Sequence, residues 1–185
     1  VGSGKTIVAA LNASSIVADN KQVAILAPTT ILANQHYQNF VQWFGCDDEI
    51  ELLTSKIAVK EKRQIYQKIQ SGKTKIIIGT HAVFQKDVVY KNLSLVIYDE
   101  QHRFGVSQRL KLKEKSENFP HQLLLSATPI PRTMAMGVLS GLDVSTIKSL
   151  PPNRKPIVTS TLPNNRRGAL ISRIKSAISE GAQVY

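Results

Sequence analysis

At 185 residues the chain holds one domain of ordinary size with room for the start of a second. Its 42% hydrophobic and 20% charged content suits a globular core, while 6% aromatic residues leave little for base-stacking platforms. A net charge of +11 points to an anionic partner, nucleic acid first; a single cysteine excludes an internal disulfide or a cysteine-rich metal site, and no apolar run nears the ~20 residues that cross a bilayer.

The chain opens on Val1-Gly2-Ser3-Gly4-Lys5-Thr6, the back half of a phosphate-binding loop of pattern G-x-x-x-x-G-K-[ST], followed by a helix from Thr6 to about Ala18. The pattern's first glycine is absent, so the chain reads as a piece of a longer protein cut inside its own nucleotide site. Val23 to Leu26 is a buried strand by its aliphatic run. Pro28-Thr29-Thr30 then starts a helix over Ile31–Phe44, in which His36 reads as a surface or capping residue. A third helix, about Lys60 to Gln70, carries Ile65 and Ile69 on one face and ends at Ser71-Gly72. Ile76 to Ile78 is the next strand, closed by Gly79-Thr80-His81. Leu93 to Tyr98 is another, closed by Asp99-Glu100-Gln101-His102, and Leu123 to Leu125 leads into Ser126-Ala127-Thr128.

Strand alternating with helix predicts an α/β fold, a parallel sheet with helices on both faces whose ligands gather at the carboxyl ends of the strands. Three prolines between Pro151 and Pro156 mark a linker after a first domain of residues 1–150. Beyond it, Ile157 to Leu162 reads as a strand, Gly168 to Glu180 as a helix and Gly181 onward as another strand, the beginning of a second α/β domain over 157–185.

Each strand end carries its own chemistry. Gly2, Ser3 and Gly4 let backbone N–H groups turn toward phosphates at a helix N-terminus. Lys5 would reach the β- and γ-phosphates of ATP, and Thr6 would place its hydroxyl on Mg2+. Asp99 supplies the oxygen donor a hard cation wants, and Glu100 can orient or deprotonate an attacking water. Thr29, Thr30 and His81 suit contacts to a nucleic acid backbone, although plain helix capping is the other reading of the threonines. Ser126 and Thr128 can hydrogen-bond the acidic pair and its neighbouring loops. The lone Cys46 and the lack of a membrane segment favour a reducing, cytoplasmic setting.

Taken in order, GSGKT, APTTILANQH, GTHAVFQ, DEQHRFG and SATPIPRT resemble the first motor domain of superfamily 2 helicases and translocases. DEQHRFGVSQR followed by SATPIPRTMAM is similar, more narrowly, to the RecG family of branch-migrating DNA helicases, along nearly the whole chain. The transcription-repair coupling factor shares ATPIPRT but usually reads DEEQRFG, and the primosomal restart helicase tends toward DEEH; Gln101-His102 favours the RecG type.

The resemblance implies a RecA-like ATPase using ATP and Mg2+ and remodelling forks and Holliday junctions in recombination and repair, with branched DNA as partner and the protein a monomer. It implies Thr29, Thr30 and His81 near the DNA, Gln101 and His102 as a relay between ATP and DNA, and Ser126 and Thr128 in coupling. It also implies that residues 1–185 alone have negligible ATPase activity, since the second motor domain of such proteins supplies arginine fingers. Three rivals are a transcription-coupled duplex translocase, a non-hydrolysing module that binds nucleotide or DNA, and a P-loop kinase; an intact Glu100 argues against the second, and the kinase gives no reason for the Asp99–Glu100 pair.

Overall fold

The computed structural model describes residues 3–45, 47–100, 119–127, 143–148 and 157–184. Contacts divide the chain into two compact units, Val1–Pro151 and Pro152–Tyr185. The first unit runs α1 (Lys5–Ala18), β1 (Gln22–Leu26), α2 (Thr30–Phe44), β2 (Ile50–Leu53), α3 (Val59–Ser71), β3 (Ile76–Gly79), β4 (Leu93–Asp99) and β5 (His121–Leu125). The five strands form one parallel sheet in the order β2-β3-β1-β4-β5.

Strand side chains alternate between two faces, and each face has its own helical cover. Val23, Ile25, Ile76, Ile78, Leu95 and Ile97 pack with Ala9 and Ala13 of α1 and Phe40 of α2. Ala24, Leu26, Ile77, Val96 and Tyr98 pack with Ile65 and Ile69 of α3 on the other side. Burial on both faces explains why these strands read as unbroken aliphatic runs rather than alternating ones. Leu93 falls on the α3 face and Leu95 on the opposite one, because the β1–β4 register shifts between Gln22 and Val23.

Two of the expected elements are corrected, and one was not foreseen. Ile157 to Leu162 is not a strand: it pairs with nothing among the described residues, and Ile157 and Val158 are 78% and 88% exposed. A β-prone run makes a strand only when a neighbouring ladder takes its backbone groups. Residues 181–184 likewise carry no strand, although a helix does form over Arg167–Ser179. Unforeseen is β2, a four-residue edge strand whose central Glu51 interrupts the apolar signal. The expected linker at 151–156 lies outside the described residues.

Gln22, 1% exposed at the start of the central strand, locks three segments together. Its Nε2 donates to the carbonyls of Ile69 and Thr74 at 2.8 Å each. Its Oε1 accepts from the backbone N–H groups of Lys91 and Asn92 at 2.8 and 3.0 Å. Every polar atom of the amide is used, and a carboxylate there would have no proton for the two carbonyls. Gln22→Glu should therefore destabilise the unit by about 2 kcal/mol. Native-state hydrogen exchange of β1 and β4 amides in the full-length protein measures this; unchanged protection would contradict it.

Candidate functional site

The sheet topology creates the site. The chain leaves β1 toward β2 on one side and leaves β4 toward β5 on the other, so the adjacent strands β1 and β4 send their connections opposite ways. A crevice at the carboxyl ends of two such strands is the usual ligand position in parallel sheets. Asp99 and Glu100 lie at that end of β4, and Thr29 follows β1 there.

Gly4 caps α1 with φ +84°, and a Cβ added to it would meet nothing within 4 Å. The demand for glycine is thus conformational, a left-handed turn feeding directly into Lys5 and Thr6. The first turn of α1 contains no acidic residue. No side chain caps it, so the positive end of its dipole is left without the carboxylate that commonly complements it, which suits an anionic ligand.

Lys5 Nζ lies 3.8 Å from Glu100 Oε1, both side chains about three-quarters buried. Glu100 has φ +55°, a left-handed conformation that costs a non-glycine residue roughly 1–2 kcal/mol. Backbone strain of this kind persists where the surroundings over-determine it, and here it turns the carboxylate's residue out of β4 at the strand end. Beside it, Asp99 Oδ2 accepts a hydrogen bond from His36 Nε2 at 2.9 Å. Burial alone would raise the Asp99 pKa, but the His36 hydrogen bond and charge, the Lys5 charge and the Glu100 backbone N–H together hold it below the usual carboxylate value. Asp99 is therefore anionic at neutral pH, as a metal ligand must be.

The structure thus brings Lys5, Asp99 and Glu100 together, with Thr6 one residue along α1 from Lys5. Ser126 directly follows Leu125, the register partner of Asp99. Thr29 is exposed and its Oγ1 accepts from Leu32 N at 3.3 Å, so it caps α2; Thr30 is the helix's first residue. His81 is exposed in a 3₁₀ turn over His81–Phe84, its ring 6.1 Å from that of Phe84. Gly2, Gln101, His102 and Thr128 lie outside the described residues.

His36 overturns its surface reading. With Ala33 and Phe40 it forms the buried stripe of α2, and its side chain is 9% exposed against 15% for Asp99. A polar residue in register with an apolar stripe was the available signal; His36 also closes the APTTILANQH segment, of which only the threonines were read as functional.

The donor set fits a magnesium ion better than a protein-caged metal. No group of three or more His, Cys, Asp or Glu side chains that could hold a metal occurs among the described residues. Mg2+ commonly takes one or two protein oxygens, several waters and substrate phosphates, which asks of the chain only what Asp99 and Thr6 offer. None of the helices among the described residues is long and apolar enough to cross a membrane.

Residues 1–136 match the family model for DEAD/DEAH box helicases. Over its whole length the chain is 49% identical to the ATP-dependent DNA helicase RecG of Haemophilus influenzae and 42% identical to that of Aquifex aeolicus, covering 27% and 24% of those proteins. A solved structure of RecG bound to a three-way DNA junction superposes with a TM-score of 0.85 at 38% identity, covering 99% of this chain and 24% of that one. The chain spans about a quarter of the length of the curated relatives it matches. A left-handed glycine opening α1, an acidic pair closing β4 and a family match over most of the sequence agree: the chain belongs to the DEAD/DEAH box helicases and is similar throughout to RecG.

Proposed function

We propose that the full-length protein carrying this chain is an ATP-dependent DNA helicase of the RecG type. It would hydrolyse ATP to drive branch migration and remodelling of forks and Holliday junctions in recombination and repair, as a cytoplasmic monomer. The observation that carries this reading is the convergence of Lys5, Asp99 and Glu100 at one strand end, in a chain similar along its whole length to RecG. Residues 1–150 would be the first motor domain, 151–156 the linker and 157–185 the start of the second.

In this reading Gly2, Ser3 and Gly4 wrap the phosphates with backbone N–H groups, and Lys5 neutralises the β- and γ-phosphates. Thr6 and Asp99 would hold Mg2+, which when bound offsets charge on the phosphate oxygens. Because Lys5 Nζ is 3.8 Å from Glu100 Oε1, a terminal phosphate held by Lys5 would come close to the carboxylate that would orient the water and accept its proton. Thr29, Thr30 and His81 would meet the DNA backbone, with Gln101, His102, Ser126 and Thr128 linking grip to nucleotide. Backbone contacts carry no base sequence, so recognition would follow DNA shape and weaken steeply with salt.

The test is the ATPase rate of the full-length protein with a synthetic fork, a linear duplex and a single strand at matched salt. The rate should be highest on the fork. Equal stimulation by all three would remove the junction-directed reading, and a preference for plain duplex would favour the translocase.

A further inference from the structure

The His36–Asp99 contact joins two parts of the molecule that the motifs treat separately. His36 sits about two helical turns after Thr29, which caps α2. At one end α2 presents Thr29 and Thr30, candidates for the DNA backbone; further along, the same helix delivers an imidazole to the candidate metal carboxylate.

A purely structural role explains this contact poorly. Ala33 and Phe40, the neighbours of His36 on the buried face, are apolar, and an apolar side chain would continue the stripe. Among the described residues His36 Nδ1 is buried with no hydrogen-bond partner, so the imidazole bears a desolvation cost and spends its one polar contact on Asp99. Paired buried groups seldom stabilise a fold more than a well-packed apolar replacement. What the bond does accomplish is to fix a carboxylate: with Oδ2 tied to His36, rotation of the Asp99 side chain is restricted and Oδ1 keeps a defined direction. Groups that hold a metal ligand in this way commonly change metal affinity or activity by 10–100-fold when removed, by the general behaviour of outer partners.

We propose that His36 is a positioning residue for nucleotide-bound metal: it holds Asp99 in its working orientation and ties that carboxylate to the helix whose N-terminus carries Thr29 and Thr30. The inference rests on the ATPase reading above and adds a residue to it.

The test compares the full-length parent with His36→Ala and His36→Gln. Glutamine can place an amide N–H near the position of Nε2; alanine cannot. Binding of Mn2+ in the presence of a non-hydrolysable ATP analogue is followed by electron paramagnetic resonance, and binding of the analogue alone is measured in EDTA. His36→Ala should weaken Mn2+ binding about tenfold. His36→Gln should recover most of that loss, and all three proteins should bind the analogue equally in EDTA. Parent-like Mn2+ affinity in His36→Ala would overturn the proposal. So would a His36→Gln variant as impaired as alanine, or a loss of analogue binding in EDTA, which would mean that His36 only supports the fold. A parent that binds no metal–nucleotide would sink the ATPase reading itself, and a parent that binds it normally beside an unaffected His36→Ala would sink only the role of His36.

Discussion

Glu100→Gln in the full-length protein is expected to lower kcat for ATP by about 10²–10⁴-fold, the usual contribution of a general base, with nucleotide affinity close to the parent's. The amide keeps the size of the side chain and its reach toward Lys5 but gives up the negative charge and the basic oxygen. Lys5, the N-terminus of α1 and Asp99, which in the proposed reading hold phosphate and metal, are untouched by the change. Single-turnover hydrolysis separates the two effects. A variant with parental kcat would mean that another group activates the water, and one that failed to bind nucleotide would mean that Glu100 mainly holds Lys5. The backbone adds a control. Because φ at Glu100 is +55°, and asparagine enters the left-handed region more easily than glutamate or glutamine, Glu100→Asn should be equally inactive yet unfold at no lower temperature than Glu100→Gln.

The parts of this site that sequence made legible are those where a single segment contains the whole signal. The glycine turn is contiguous with the helix it opens, and β1, β3 and β4 are aliphatic because helices cover both of their faces. What stayed hidden depends on partners far along the chain. The charge that disguised β2 is met by α3, where Lys68 Nζ binds Glu51 Oε1 at 2.5 Å. His36 gains its meaning from Asp99, and Gln22 from carbonyls and N–H groups of three separate segments. Ile157 to Leu162 failed in the opposite direction: its local preference is for a strand, and no neighbouring ladder completes one among the described residues. Pair-dependent features of this kind leave only a weak trace, a polar residue where an apolar one would fit.

Gly79→Ala should destabilise the first unit by about 3 kcal/mol, the upper end of ordinary overpacking. It closes β3 between Leu26 and Leu53 in the register and accepts a hydrogen bond from Ala27 N at 2.9 Å. A Cβ there would stand 2.1 Å from the carbonyl oxygen of Leu53 and 2.8 Å from Val83 Cγ2. The first obstacle is backbone in a paired strand and cannot swing away. Relief requires β2 or β3 to shift, and Thr80 and His81, which follow immediately, shift with it. Gly72→Ala is the informative comparison. Its added Cβ would meet Lys91 Cδ at 2.7 Å, the middle of a flexible side chain, so the steric part is readily relieved. What remains is its left-handed φ of +78°, a cost of about 1 kcal/mol. Hydrogen exchange of β2, β3 and β1 amides in the full-length protein should therefore rank Gly79→Ala well below Gly72→Ala in stability. The reverse order, or equal protection, would show that the Leu53–Gly79 approach is looser than 2.1 Å implies and that the loop bearing His81 is not held by it.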